Sequence, residues 1–289
     1  MARIRQPRPI RSVLYMPAAN ARALEKARTI PCDALILDLE DAVAPDAKDL
    51  ARRQAVDAVR SGGYGTRIVT IRCNSIDSPW GADDLRAIAT AAPDAIVLPK
   101  ITGTDDLERY KTVLAAHGDV MARLWPMIET PGAILAARDL ATDPDVDVLV
   151  MGTNDLTLEL RAATVPGRAP IVPHLAHAIL TARAGAVRIV DGVFNDIIDL
   201  EGFATECRQG VELGFDGKTL IHPSQVEPCN DAWTPGPAEV EHARKVIEAF
   251  DAASAEGRGV ATVDGRMIEN LHVEVARRVL AVSDARSTP

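Results

Sequence analysis

Short apolar runs recur along the chain, and each is followed by polar residues and then by a segment with helical spacing of apolar positions. Runs of this length are typical of strands buried on both faces, which belong to parallel sheets with helical connections. The pattern predicts strands over residues 12–16, 33–38, 67–72, 95–99, 123–128, 147–151, 186–191 and 217–221.

Helices are predicted between these strands, because capping residues and helix breakers mark their ends. Asn20 is placed to cap the first helix and Thr104 to cap a later one, whereas the Pro- and Gly-rich stretch 163–173 predicts a loop. The predicted helices occupy residues 21–28, 46–60, 83–90, 105–116, 131–140, 175–183 and 200–213.

The alternation of eight strands with helices predicts an α/β fold, a TIM (β/α)8 barrel. Two further helices are expected at 235–253 and 269–282, joined by a link at 257–265 that is flexible in composition. We therefore expect a barrel over residues 1–230 and a C-terminal helical extension over 231–289 that packs on a neighbouring subunit.

Composition narrows the class of protein. Of the 289 residues, 47% are hydrophobic, which is ample for a barrel core, and the net charge of −9 argues against general nucleic-acid binding. A small anionic substrate remains compatible with that charge, since a local group of basic residues can override it. The four cysteines form no Cys-x-x-Cys pair, and no apolar run is long enough for a signal peptide or a membrane span. We expect a cytoplasmic protein.

Acidic residues follow three of the predicted strands. Asp38, Glu40 and Asp41 end or follow the second strand, Glu129 follows the fifth and Asp155 the sixth. The carboxyl ends of barrel strands are where active sites are built, and carboxylates of neighbouring strands suit Mg²⁺. Glu129 and Asp155 are thus candidate metal ligands, and the alternative is that each of them caps a helix.

Basic residues end the third and fourth predicted strands. Arg72 and Lys100 are placed to hold an anionic substrate or a developing enolate oxygen. The alternative is that they pair with Asp38, Glu40 and Asp41. Those three carboxylates would then neutralise the two cations, or would serve as outer partners of the metal site, and both interpretations stay open.

Seven short stretches give the chain a resemblance to the citrate lyase β-subunit-like proteins, within the malyl-CoA lyase and HpcH/HpaI aldolase group. Each is short, but all seven occur in the family's order between residue 11 and the C-terminal region. They are RSVLYMP at 11–17, LDLEDAV at 37–43, IRCN at 71–74, LPK at 98–100, IET at 128–130, GKTLIHP at 217–223 and MIE at 267–269.

The resemblance implies a Mg²⁺-dependent TIM barrel, usually trimeric (or hexameric), that makes or breaks a carbon–carbon bond in a CoA thioester. It implies that Glu129 and Asp155 are the metal ligands and that Arg72 holds the thioester or enolate oxygen. Asp38, Glu40, Asp41 and Glu269 are the further catalytic candidates. The residues expected to contact CoA or the substrate are Tyr15, Arg22, Lys26, Lys100, Ile221, His222 and Pro223, although a lone histidine such as His222 is more often structural.

Two departures from the family pattern bear on the reaction. Glu269 stands where lyases of the family have a catalytic Asp that reaches the neighbouring subunit's site, and a side chain one methylene longer has a different reach. Asp155 lies in Gly-Thr-Asn-Asp, without the Glu that usually precedes the metal-binding Asp.

The leading interpretation is a lyase acting on malyl-, citramalyl- or citryl-CoA. The alternatives are an acyl-CoA thioesterase or synthase, a CoA-free aldolase using pyruvate or oxaloacetate, and a non-catalytic CoA-binding homologue.

Overall fold

The eight predicted strands form a closed barrel in a computed structural model that describes residues 8–118 and 121–285. Each strand pairs in parallel with the next, and the eighth pairs with the first, which confirms the predicted fold class. The strands are β1 (Ser12–Pro17), β2 (Ala34–Asp38), β3 (Ile68–Arg72), β4 (Ala95–Leu98), β5 (Arg123–Ile128), β6 (Val148–Met151), β7 (Arg188–Asp191) and β8 (Gly217–Leu220).

Helices connect the strands of the barrel. They are α1 (Ala21–Ala27), α2 (Lys48–Ser61), α3 (Gly81–Ala91), α4 (Thr104–Ala115), α5 (Pro131–Thr142), α6 (Thr153–Glu159), α7 (Val172–Ala184), α8 (Leu200–Leu213) and α9 (Val226–Ala232). The Asn20 side chain caps α1 as predicted, accepting a hydrogen bond of 3.1 Å from the Ala23 N–H. The predicted Thr104 cap is wrong, because Thr104 is the first residue of α4 and Gly103 holds the cap position.

The barrel interior is filled by every second residue of the strands, as the pleat of a strand requires. Ala34 and Ile36 of β2, and Trp125 and Met127 of β5, belong to this buried cluster. Because the alternation continues to the strand ends, Asp38 and Glu129 are the next inward positions at the carboxyl-terminal mouth of the barrel. The inward positions along β2 and β5 are thus apolar within the barrel and acidic at its carboxyl-terminal mouth.

A second compact unit is built from residues 231–285 together with residues 8 and 9, whereas the barrel unit comprises residues 10–230. It contains α10 (Pro237–Ala255), α11 (Asn270–Ala285) and a hairpin of β9 (Ala261–Val263) and β10 (Arg266–Ile268). Its core is apolar and comprises Ala243, Val246, Ala253, Ala261, Val263, Ile268, Val273 and Ala276. The stretch expected to be a flexible link therefore carries part of a hairpin, and the expected packing on a neighbouring subunit stays a prediction. In the part of the chain that the structure describes, no helix has both the length and the apolar character needed to cross a membrane.

Candidate active site at the carboxyl end of the barrel

Arg72, the last residue of β3, is surrounded by three carboxylates of the β2 end. Its Nε and Nη2 donate to the two carboxylate oxygens of Asp38 at 2.7 Å each, and its Nη1 donates to Asp41 Oδ2 at 3.2 Å. Glu40 Oε2 lies 2.9 Å from the same Nη1, without hydrogen-bond alignment. The structure places these three carboxylates against Arg72. This corresponds to the interpretation in which they neutralise a cation.

Two carboxyl groups of this cluster, Asp38 and Glu40, have pKa values shifted in opposite directions. Burial disfavours ionisation of Asp38, but the Arg72 guanidinium and its hydrogen bonds hold the pKa of Asp38 below its usual range. Burial also disfavours ionisation of Glu40. This effect outweighs the opposite effect of the Arg72 guanidinium, which donates its two shortest hydrogen bonds to Asp38, so the pKa of Glu40 rises to about 8. At neutral pH Asp38 is therefore ionised, whereas Glu40 mostly keeps its proton.

Tyr15 supports Arg72 from inside the barrel. The guanidinium lies 4.8 Å from the centre of the Tyr15 ring, a cation–π contact, and Arg72 Nη1 lies 3.9 Å from the sulfur of Met127. Burial raises the pKa of the Tyr15 hydroxyl, so it remains a neutral phenol. Its contacts among the described residues hold Arg72 in place, and the CoA contact expected of Tyr15 stays a prediction.

Lys48 binds the loop at residues 39–41, which carries Glu40 and Asp41 and is called the acidic loop below. It is a site residue that was not predicted from the sequence. Its ammonium donates to the carbonyl oxygens of Leu39 and Glu40 at 2.8 Å each and to Asn74 Oδ1 at 2.7 Å. Lys48 is buried on the inner face of α2, at helical spacing from Ala51 and Ala55. A lysine at an inward position of an otherwise apolar helix face was the signal available in the sequence.

Glu129 and Asp155 face each other across Lys100. Glu129 is fully buried, and its Oε1 accepts the Lys100 backbone N–H at 2.7 Å. The Lys100 ammonium lies 2.8 Å from Asp155 Oδ1 and 3.6 Å from Glu129 Oε1. Lys100 therefore pairs with the two candidate metal ligands and not, among the described residues, with the acidic group of β2.

Gly152 makes room for the Glu129 side chain. A Cβ atom at residue 152 would lie 2.4 Å from Glu129 Cβ and 2.5 Å from Glu129 Oε2, distances that no side chain tolerates. Gly152 immediately follows β6 and precedes α6, so its bare backbone leaves space at the mouth of the barrel between two neighbouring strands. The carboxylate of Glu129 can occupy this space only because residue 152 is glycine.

The donor set at Glu129 and Asp155 fits Mg²⁺. Glu129 Oε2 is buried without a hydrogen-bond partner among the described residues, while the Asp155 side chain is 34% exposed. Burial raises the pKa of Glu129, so the positive charge of Lys100 offsets the cost of burying this carboxylate only in part. No group of three or more acidic, His or Cys side chains suited to a metal occurs in the described ranges. Mg²⁺ often takes one or two carboxylates and completes its shell with water and substrate oxygens, which matches this pair.

Five of the residues predicted to contact CoA or the substrate lie on α1 and after β8. Arg22 and Lys26 are exposed on α1, one turn apart. His222 is exposed as well, and its Nδ1 accepts the Ser224 N–H at 3.2 Å, capping the short 3₁₀ helix Pro223–Gln225. Ile221 is 39% exposed, and its N–H donates to the buried Gln225 side chain at 3.0 Å. A structural role of His222 is thus visible, and contact of this segment with a ligand stays a prediction.

Glu269 belongs to the second compact unit. It directly precedes α11, where its backbone N–H donates to His272 Nδ1 at 3.0 Å, and it is half-buried. Its carboxylate makes no ion pair with any described residue. The catalytic role expected of Glu269 stays a prediction.

A cavity of about 1040 Å³ opens beside α6. Thr153, Asn154 and Thr157 of α6 form one wall, and the segment 193–196 after β7 forms another. The amides of Asn154 and Asn195 close on each other with hydrogen bonds of 3.1 and 2.8 Å. The cavity is large enough for a small organic acid, but Arg72, Lys100, Glu129 and Asp155 are not among the residues that line it.

Comparisons with known proteins show the family to which the chain belongs. Residues 11–223 match the family described as HpcH/HpaI aldolase/citrate lyase. The chain is 47% identical over 280 residues to a (3S)-malyl-CoA thioesterase of Cereibacter sphaeroides strain KD131, covering 97% of this chain and 96% of that protein. It is 34% identical over 284 residues to the citrate lyase subunit beta of Escherichia coli K12, covering 96% and 94%. The structure of CitE from Mycobacterium tuberculosis in complex with magnesium, acetoacetate and coenzyme A superposes with a TM-score of 0.77 at 26% identity, covering 95% of this chain and 98% of that one.

Proposed function

Because the chain belongs to the HpcH/HpaI aldolase/citrate lyase family, we propose that it is a Mg²⁺-dependent enzyme acting on a 3-hydroxyacyl-CoA thioester. The observation that carries the proposal is the buried, unpartnered Oε2 of Glu129, which lies in the same strand-end cluster as Asp155 and Arg72. A relative of known structure, CitE of M. tuberculosis, is described in complex with magnesium and coenzyme A, which supports the same ligands here.

Glu129 and Asp155 are the residues that would hold the metal. When bound, Mg²⁺ supplies a Lewis acid that polarises the oxygens of a hydroxy-acid substrate. The chain's own contribution is to leave Glu129 Oε2 without a donor among the described residues and to keep the Asp155 side chain partly open to solvent.

Arg72 is the residue proposed to stabilise negative charge on the thioester oxygen. In the lyase reaction the 3-hydroxyl gives its proton to a base, for which Glu269 is the candidate, and C3 becomes a carbonyl as the bond between C2 and C3 breaks. The electron pair of that bond forms an enolate at the thioester. A fixed guanidinium lowers the energy of that oxyanion because its orientation is already set by Asp38 and Tyr15. A proton must then reach C2 of the enolate, and Glu40, which keeps its proton at neutral pH, and Glu269 are the candidate donors.

Thioester hydrolysis is a second candidate, favoured by the 47% identity to a protein named (3S)-malyl-CoA thioesterase. Here water adds to the thioester carbonyl, and CoA leaves as a thiol after taking up a proton. Glu269 in place of the lyase Asp is compatible with a general base acting on water. The same Arg72 would stabilise the oxyanion in both reactions, so the site alone supports either outcome.

The remaining expectations are proposals of the same kind. Arg22 and Lys26 supply positive charge suited to the phosphates of CoA, and 221–223 is the segment proposed to lie along its pantetheine arm. Assembly as a homotrimer, with Glu269 serving a neighbouring site, is proposed from the family resemblance and is tested by light scattering of the purified protein.

Product analysis tests the proposed function. The protein is incubated with Mg²⁺ and (3S)-malyl-, citramalyl- or citryl-CoA, and the products are separated by mass spectrometry. Malyl-CoA that yields acetyl-CoA and glyoxylate indicates a lyase, whereas malate and free CoA indicate a thioesterase. The Glu269→Asp variant, run in parallel, tests whether the longer side chain selects between them. Failure to turn over any thioester of the panel contradicts the proposed function.

A further inference from the structure

Lys100 contacts both candidate metal ligands at once, with two different parts of the residue. Its backbone N–H donates to Glu129 Oε1 at 2.7 Å, and its ammonium lies 2.8 Å from Asp155 Oδ1. The ammonium also lies 3.6 Å from Glu129 Oε1. A single side chain thus supplies a positive charge between the two carboxylates proposed to hold a divalent cation.

The backbone of Lys100 adopts a conformation that residues other than glycine rarely adopt. Its φ angle is +54°, in the left-handed region, two residues after the end of β4. Such conformations carry a cost and persist where the surrounding structure imposes them, often at functional sites. Here the conformation directs the N–H at Glu129 Oε1, which leaves Oε2 of the same carboxylate without a donor among the described residues.

The side chain of Lys100 has an electrostatic consequence for any cation at this site. An ammonium and a divalent cation that both depend on Asp155 repel each other, and the repulsion acts in a partly buried place where water screens it poorly. The ammonium must leave Asp155 Oδ1, or share it, before the cation can use that oxygen. The same ammonium also lowers the repulsion between Glu129 and Asp155, which keeps the two carboxylates together.

We propose that Lys100 is an internal counter-cation of the metal site, which competes with Mg²⁺ for Asp155 and thereby weakens the affinity of the protein for the metal. The inference rests on the proposed role of Glu129 and Asp155 as metal ligands. It assigns to Lys100 a role in metal affinity that is separate from any contact with an anionic substrate. Its backbone N–H selects the free oxygen of Glu129, and its ammonium sets how tightly that oxygen and Asp155 bind a cation.

Magnesium titration without substrate tests this role by calorimetry. Lys100→Met keeps most of the side-chain length but removes the charge, and we expect it to bind Mg²⁺ at least about tenfold more tightly than the natural protein. Lys100→Gly removes the same charge and suits the left-handed backbone, so it is expected to bind more tightly as well. Lys111→Met is the matched control, because Lys111 pairs with Asp143 at 3.0 Å and has no contact with either candidate ligand.

Thermal unfolding gives an independent readout. Without added metal, Lys100→Met is expected to melt below the natural protein, and Mg²⁺ is expected to raise its melting temperature by more. If the natural protein binds Mg²⁺ and neither neutral variant binds it more tightly, the counter-cation role of Lys100 is wrong. If neither the natural protein nor the variants bind Mg²⁺, the proposed metal site itself fails. Should Lys100→Met not fold, Lys100→Gly decides the comparison.

Discussion

Asp38 and Arg72 occupy the same register position of two neighbouring parallel strands and join through two hydrogen bonds of 2.7 Å each. Both side chains are buried, so the pair is nearly closed to water. Two parallel N–H···O bonds fix the plane of the guanidinium as well as its position. Arg72 thus has a defined orientation at the mouth of the barrel.

Asp38→Asn is expected to destabilise the protein strongly, because the buried Arg72 would lose its principal counter-charge. Removing one partner of a buried ion pair costs about 3–5 kcal/mol, and urea unfolding measures the loss. Asp83→Asn is the control, since Asp83 pairs with Arg86 on the surface at 2.7 Å. That change is expected to cost no more than about 1 kcal/mol. Equal losses of unfolding free energy in the two variants would show that the buried pair of Asp38 and Arg72 stabilises the protein no more than a surface pair does.

Glu40 predicts a particular dependence of stability on pH. Its pKa in the folded protein is about 8, above the ordinary value of 4.5, because it is buried. Between these values the folded state binds more protons than the unfolded state, so rising pH lowers the contribution of Glu40 to stability until about pH 8. In the Glu40→Gln variant the side chain is neutral in both the folded and the unfolded state, so this pH-dependent contribution to stability is absent. The free energy of unfolding of the variant minus that of the natural protein should therefore increase from pH 5 to 8 and then level off, at a slope of at most ~1.4 kcal/mol per pH unit. A difference that is flat over this range contradicts the raised pKa.

Gly152→Ala is expected to displace Glu129. The added Cβ would lie 2.4 Å from Glu129 Cβ, so one of the two residues must shift. We expect a loss of about 1–3 kcal/mol in stability and a loss of tenfold or more in Mg²⁺ affinity. Gly259→Ala serves as the control, because a Cβ there would meet no atom within 4 Å. Unchanged Mg²⁺ affinity in Gly152→Ala would separate Glu129 from the metal site.

Lys48→Met is expected to loosen the acidic loop while leaving the metal site intact. It removes three hydrogen bonds, two of them to the carbonyl oxygens of Leu39 and Glu40. Stability should fall by ~2–4 kcal/mol, and kcat should fall because Arg72 is less well oriented. Mg²⁺ affinity, measured by calorimetry, should not change, since Lys48 contacts neither Glu129 nor Asp155. Weakened Mg²⁺ binding in this variant would show that Lys48 supports the whole site and not the loop alone.

Much of the fold was predictable from local patterns, and the misses have local causes. The predicted strand at 123–128 matches β5 (Arg123–Ile128) in both bounds, because its apolar run is long and ends at a charged residue. The hairpin of β9 and β10 was missed, since each strand has only three residues. Its signal was present in the sequence as Asp264-Gly265, a dipeptide typical of tight hairpin turns, and both residues have positive φ.

The candidate site was predictable as a set of strand-end residues but not as a set of pairs. Alternation along the strands was enough to bring Asp38, Arg72 and Glu129 to one end of the barrel, and Asp155 follows in the first turn of α6, just after β6. The partner of Lys100 was not predictable, because it depends on the tilt of the strands and on a left-handed backbone at residue 100. The space for Glu129 depends on the close approach of Gly152, which sequence spacing does not reveal.

The most direct test of the account is turnover of the CoA thioester identified by product analysis, compared between the natural protein and Arg72→Lys. Lysine keeps the positive charge but cannot bond both oxygens of Asp38 in the plane that orients the guanidinium. If Arg72 stabilises the oxyanion in the transition state, kcat should fall about 100-fold or more while KM changes little. A kcat within about threefold of the natural value would contradict the role of Arg72 and the enolate chemistry built on it.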